Sequence, residues 1–321
     1  MELHENKKLF TDTILAAAKN LNINAIYIEK DYWITRSLRL MSQNINAANV
    51  VFKGGTSLSK AYCIINRFSE DIDVAVIDAD SMNGNQIKTL IKRVAKEMTA
   101  GLEEVVKNGI TSKGSRYYKA LYSYPNILGR AAKSTVNIGQ LLIEVNSFAN
   151  PYPYETKAIT SFVAEFFEKT DNQHLIAQFH LQPFSLNVLD KRRTMTEKLV
   201  SLIRFSFSDN YHYDLASKIR HFYDLYHLAN DIECVAYLQS TSFKTDFITL
   251  LTHDQQTFDT PLEWNKKTVA ESPLIKDFAN VWKTLRETYN TELPAITFAT
   301  IPDERLVADS FDKIVKLLGT V

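Results

Sequence analysis

Asp71 and Asp73 are the two residues from which chemistry can first be argued. They alternate with Ile72, Val74 and Val76 in a run that reads as a strand, so both carboxylates fall on the face opposite the apolar side chains. Two adjacent carboxylates repel unless they are solvated or bridged by a cation, and hard oxygen ligands suit Mg2+ or Mn2+. About fourteen residues earlier stands Gly54-Gly55-Thr56-Ser57, between an apolar stretch at 49–52 and a helical one at 57–66. Strand, glycine turn and helix form an arrangement that exposes backbone amides to an anion, with glycine permitting close approach. A triphosphate is the guest such a loop suits. A plain tight turn and a solvated edge strand are the alternatives for the two segments taken singly. Phosphoryl transfer commonly uses two metal ions and a third carboxylate. Glu144 qualifies, because it lies opposite Leu141, Ile143 and Val145 in a further strand pattern.

The elements that must position these groups follow from periodicity. Residues 8–41 predict two helices with a break near 21–24. A helix over 86–106 follows the acidic strand, and strands are expected at 117–124 and 140–148, which makes the first half mixed α/β. Helical spacing then dominates at 161–178, 194–207, 213–230, 243–252 and 306–318. The expected division is therefore α+β: residues 1–160 carrying the mixed sheet and residues 161–321 mainly helical, with Pro151 and Pro153 marking the junction.

Composition narrows the class. The 321 residues are 45% hydrophobic and 23% charged, as in ordinary globular proteins. The 37 basic and 37 acidic residues cancel, so contact with nucleic acid requires a local patch. One candidate is 191–220, with seven basic residues against three acidic ones. Its ordinary reading is a solvated helix face. Tyr211, Tyr213, Tyr223 and Tyr226 suit stacking on bases or, equally, a core. Cys63 and Cys234 are isolated, and the histidines lack zinc spacing, as His212, His221 and His227 show. With no run of about 18 uncharged apolar residues and no signal-like start, a cytoplasmic protein with no membrane partner is expected.

Several segments together resemble the DNA polymerase β-like nucleotidyltransferases, and within them the AbiEii-type (MenT-related) toxin group. Glu29-Lys30-Asp31-Tyr32-Trp33 is similar to that group's N-terminal helical signature. Phe52-Lys53-Gly54-Gly55-Thr56-Ser57-Leu58-Ser59-Lys60 resembles its phosphate loop, and Arg67-Phe68-Ser69-Glu70-Asp71-Ile72-Asp73 its metal motif. Arg193 to Leu199 resembles its lysine motif, and Arg220 to Tyr226 its late aspartate motif. This chain departs in a longer gap between glycines and aspartates, and in carrying Glu144 where the superfamily often has Asp.

The resemblance implies a polymerase β-like domain followed by a helical one. It also implies an enzyme that takes a nucleoside triphosphate with Mg2+ (or Mn2+) and transfers NMP, as the toxin of a phage-defence toxin–antitoxin pair with a cognate antitoxin. The expected acceptor is an RNA, the tRNA 3′ end. Nucleotidylation of a protein or small molecule, or a non-catalytic nucleotide-binding regulatory role, are the competing readings. By the same resemblance Gly54, Gly55, Thr56, Ser57, Lys60 and Ser69 would meet the nucleotide. Asp71 and Asp73, with Glu144, would hold metal, Lys198 would meet the triphosphate, and Asp224 would act near acceptor or nucleotide. Read alone, Thr194 and Glu197 form a capping-box pattern, Lys198 is an ordinary solvated lysine, and Asp224 pairs with Arg220 one helical turn away.

Overall fold

The computed structural model describes residues 1–69, 71–129 and 139–319. Glu70, quoted within the acidic motif, lies outside them. The chain divides into two compact units, Met1–Cys63 with Phe68–Leu189, and Ile64–Arg67 with the chain from Asp190 onward.

Unit 1 opens with α1 (Lys7–Leu21) and α2 (Ala25–Ser42). The break between them is chemical: Asn22 closes α1 in the left-handed region, and Asn24 opens α2 by accepting from the Ile26 amide. Then come β1 (Val50–Lys53), α3 (Gly54–Lys60), β2 (Asp71–Val76) and α4 (Gly84–Met98). Asn83 and Gln86 start α4 with a reciprocal capping box. Strands β3 (Glu103–Val105), β4 (Ser112–Lys113), β5 (Tyr117–Ser123), β6 (Gln140–Asn146) and β7 (Tyr154–Ile159) follow, then α5 (Phe162–Lys169), α6 (Gln173–Gln178) and β8 (Phe184–Leu189). Among the described residues the strands form one mixed sheet of order β3-β5-β6-β2-β1-β8-β7, with β4 beside β5. The pairs β2–β6 and β1–β8 are parallel, and the others are antiparallel.

One sheet face carries Val50, Phe52, Ile72, Val74, Val76, Ile143, Val145, Leu186 and Val188, all buried in a single core with Trp33, Leu38, Ile91 and Met98 from α2 and α4. That burial is the main force fixing strand register, because a one-residue slip would turn the apolar set outward and the aspartates inward. The opposite face at Asp71 and Asp73 is only half-buried.

Unit 2 is helical: α7 (Lys191–Phe205), α8 (Tyr211–Ser217), α9 (Ile219–Leu228), α10 (Ile232–Leu238), α11 (Thr241–Thr257), α12 (Pro273–Lys276), α13 (Phe278–Ile296) and α14 (Glu304–Leu318). Its core packs Phe222 edge-on against Phe311 at 4.7 Å and Phe278, tilted, against Phe311 at 4.8 Å between ring centroids.

The architecture is the expected α+β combination, with particular differences. Residues 161–189 belong to unit 1, because Phe184, Leu186 and Val188 alternate as a strand that pairs with β1 and β7. The 161–178 helix is two helices, interrupted at Asp171, which adopts a φ of 56°. The helix expected to 106 stops at Met98, and the one expected over 57–66 spans Gly54–Lys60. Helix α13 has no counterpart in the sequence reading; Pro294 sits in its last turn, where it costs a single backbone bond. No helix among the described residues is long and apolar enough to cross a membrane.

Candidate functional site

The turn from β1 into α3 is pressed against the acidic strand. Gly54 has a φ of +82°, and a Cβ built on it would stand 2.3 Å from Asp73 Oδ2. No side chain fits there, and the positive φ independently favours glycine. The Thr56 hydroxyl donates to the Asp71 carbonyl at 2.5 Å, and the Ser57 hydroxyl to the Gly54 carbonyl at 2.8 Å. Both side chains are buried, so their hydroxyls serve the local fold: one ties α3 to β2, and the other closes the turn. Helix α3 has only seven residues and a correspondingly weak dipole, which leaves the approachable backbone at Gly54–Gly55 as the anion-facing feature. Ser69 is half-buried two residues ahead of Asp71.

Register then places charges in a row across the sheet. Lys53 lies opposite Asp73, Asp73 opposite Glu144, and Glu144 opposite Lys119. Directly paired residues share a face, so Glu144 stands on the same side as the two aspartates. Its carboxylate is engaged on both oxygens: Lys119 Nζ lies 2.6 Å from Oε1, and the Tyr117 hydroxyl donates to Oε2 at 2.8 Å. Burial, the Glu144 charge and its hydrogen bond, then Asp73 and Asp71, push the Tyr117 phenol well above its ordinary range. One phenol therefore senses all three carboxylates.

Among the described residues no group of three or more His, Cys, Asp or Glu forms a metal cluster. The donor chemistry of Asp71 and Asp73, two carboxylates on one strand face, fits a hard divalent cation. The third expected ligand, Glu144, is placed beside them but holds Lys119 and Tyr117. Lys60 is also committed, with its ammonium 2.6 Å from Asp31 and 2.5 Å from the Thr160 carbonyl. Asp31 accepts in addition from the Phe162 amide, so this pair clamps α3 and α5 onto α2.

In unit 2, Lys198 and Asp224 meet. Lys198 Nζ is 2.8 Å from Asp224 Oδ2, and Arg67 binds the same carboxylate through two bonds of 2.7 and 2.6 Å. All three are buried, Asp224 completely. Burial acts to raise the Asp224 pKa, but the Arg67 and Lys198 charges and hydrogen bonds overcome it and hold the carboxyl far below its ordinary range. Two cations thus share one carboxylate. The neighbouring His221 is held neutral, chiefly by burial and then by the Lys198 and Lys218 charges, and its Nδ1 has no hydrogen-bond partner among the described residues.

Three local readings change. Asp224 pairs with Arg67 and Lys198 rather than with Arg220. Asp190, not Thr194, caps α7 by accepting from the Arg192 amide, because the helix begins four residues earlier than the capping pattern suggested. Much of the basic run is internally paired: Lys191 with Asp231, Arg192 with Asp190, and Arg204 with the Thr260 carbonyl. Of the four tyrosines, Tyr223 is core and Tyr213 is 70% exposed. Sequence reasoning missed Lys119, Tyr117 and Arg67 as partners of the site residues. For the first two a signal existed, since they sit at i and i+2 of a strand beside the one that carries Glu144.

The family model for the nucleotidyl transferase AbiEii toxin of type IV toxin–antitoxin systems matches residues 36–316. No curated protein matches the sequence. Among solved structures, the chain is similar to MenT4, a nucleotidyltransferase toxin from Mycobacterium tuberculosis H37Rv, at 17% identity and a TM-score of 0.48, over 95% of this chain and 98% of that one. It is also similar to a candidate nucleotidyltransferase from H. pylori, at 16% identity and a TM-score of 0.40, over 89% and 93% of the two chains.

Proposed function

Because the chain belongs to the AbiEii nucleotidyltransferase toxin family of type IV toxin–antitoxin systems, we propose that it transfers a nucleoside monophosphate from a nucleoside triphosphate to the 3′ end of a tRNA, using Mg2+ or Mn2+ held by Asp71 and Asp73. The observation that carries this reading is the contact between Gly54 and Asp73, which sets an approachable backbone turn directly against a carboxylate of the metal pair. In the reaction the acceptor's 3′ oxygen bonds to the α-phosphorus, the bond from that phosphorus to the β-bridging oxygen breaks, pyrophosphate leaves, and the hydroxyl proton passes to solvent. Bound metal supplies neutralisation of phosphate charge and activation of the acceptor hydroxyl.

The chain's own groups position the reactants. The Gly54–Gly55 backbone meets phosphate, while Thr56 and Ser57 fix that backbone and Lys60 anchors α3 through Asp31. Ser69 lies close enough in sequence to Asp71 to flank the nucleotide. Lys198, a compact ammonium, is suited to the triphosphate, and Asp224 sets where that charge sits. A cognate antitoxin belongs to the same system.

The test incubates the protein with Mg2+, total tRNA and each α-labelled ribonucleoside triphosphate in turn, beside Asp71→Asn. Label in RNA that disappears in the variant is the expected result. Label in protein would replace the acceptor, and release of nucleoside diphosphate in place of pyrophosphate would overturn nucleotidyl transfer.

A further inference from the structure

The charge row across the sheet contains a lysine that the reaction does not require. Asp73 and Glu144 are direct neighbours across β2 and β6, where like charges destabilise a pair. Lys119 stands on the far side of Glu144, in register and 2.6 Å from its Oε1, and it is only 30% exposed. Tyr117, two residues earlier on the same face of β5, takes the other oxygen. Both oxygens of the carboxylate nearest the aspartate pair are thus occupied by donors built into the adjacent strand. A ligand carboxylate awaiting a cation has little physical use for a charge-assisted bond of this kind, because each must be given up before metal can be held.

We propose that Lys119 is a resident cation that competes with the divalent metal for Glu144, so that the metal is held by Asp71 and Asp73 while Glu144 stays with Lys119. This rests on the metal reading of Asp71 and Asp73 above. Lys119 is a positioning residue: its charge offsets the repulsion between Asp73 and Glu144 and lowers the site's demand for a second cation.

The experiment measures Mn2+ binding to the full chain, by calorimetry and by the loss of the free-ion paramagnetic resonance signal, with no nucleotide present. Lys119→Met should bind Mn2+ about tenfold more tightly, the order expected for removing one screened unit charge and releasing a carboxylate. Lys119→Arg, which keeps the charge, should match the parent, and Glu144→Gln alone, which leaves the Lys119 charge unpaired beside the aspartates, should bind Mn2+ more weakly. Lys119→Met combined with Glu144→Gln should cancel the gain. Unchanged or weaker binding in Lys119→Met overturns the proposal, as does a gain that survives in the double variant. Where Lys119→Met fails to fold, Lys119→Gln, which keeps a polar side chain without the charge, carries the same expectation, and unchanged or weaker binding there overturns the proposal. If the parent binds Mn2+ and Asp71→Asn binds it equally well, the metal reading falls, and this inference with it.

Discussion

The two charged clusters of this protein solve opposite electrostatic problems. On the sheet of unit 1, Asp71, Asp73 and Glu144 gather negative charge on a half-buried face, with Lys53 and Lys119 at the two ends of the row. In unit 2, Asp224 is wholly buried with two cations upon it. The first arrangement sets like charges side by side on an accessible face and suits a cation; the second satisfies its carboxylate with two buried cations. Accumulated like charge near solvent is a stronger pointer to chemistry than a satisfied buried pair, which ordinary packing also produces.

This contrast predicts that the clusters fail differently. Asp71→Asn or Asp73→Asn should lower nucleotidyl transfer by about a thousandfold or more, the consequence of losing several kcal/mol of transition-state charge stabilisation. The unfolding midpoint in denaturant should move little by comparison, because both positions are only half-buried. A variant that loses activity only in proportion to lost stability would break the comparison from the unit 1 side.

Asp224→Asn should do the reverse and strike stability first. It strands Arg67 and Lys198 as buried cations, a change that costs about 3–5 kcal/mol in comparable buried pairs, and denaturant titration measures it. The pH dependence has the same origin. Because the folded pKa lies below the unfolded one, the stabilisation is fully present above the unfolded value near 4 and is lost as pH falls toward the folded value. The parent should therefore lose stability progressively below about pH 4, and Asp224→Asn should flatten that slope.

Gly54→Ala links the two measures within unit 1. The left-handed conformation costs about 1–2 kcal/mol for a residue with a Cβ, and the new carbon must displace the Asp73 carboxylate from 2.3 Å. A displacement of this size should reduce transfer by about a hundredfold. Activity should fall well beyond what the stability change explains, as parallel melting and rate measurements would show.

The sequence made the local parts of this picture legible and concealed the long-range ones. Alternation placed Asp71 and Asp73 on one face, and the apolar pattern of 141–145 put Glu144 opposite its core residues, because side-chain direction in a strand is a local property. Which strand lies beside which is not. The Lys119–Glu144 bond depends on β5–β6 register across 25 residues, and the Arg67–Asp224 bond spans 157. Local rules offered Arg220 for Asp224 and Thr194 for the α7 cap, and tertiary partners and an earlier helix start displaced both. Strand β8 was hidden for a related reason: its six residues alternate, but they lie between segments whose helical period is longer and stronger.

Glu29 sharpens the comparison by supplying a case neither cluster contains, a buried carboxylate governed by burial itself. Its Oε1 accepts from the Ile127 amide at 2.8 Å, yet burial outweighs that bond and pushes the carboxyl up to about 7, the direction opposite to Asp224. Between the unfolded value, near 4.3, and about 7 the unfolded state has released its proton while the folded state retains it. Stability contributed by this group is therefore present at low pH and declines as pH rises through that window, then levels off. Glu29→Gln should remove the decline, leaving the variant less sensitive than the parent between pH 5 and 7.5 when melting temperature is followed in a buffer series. A profile unchanged by the substitution would mean that Glu29 is already ionised in the fold and that burial does not govern its charge.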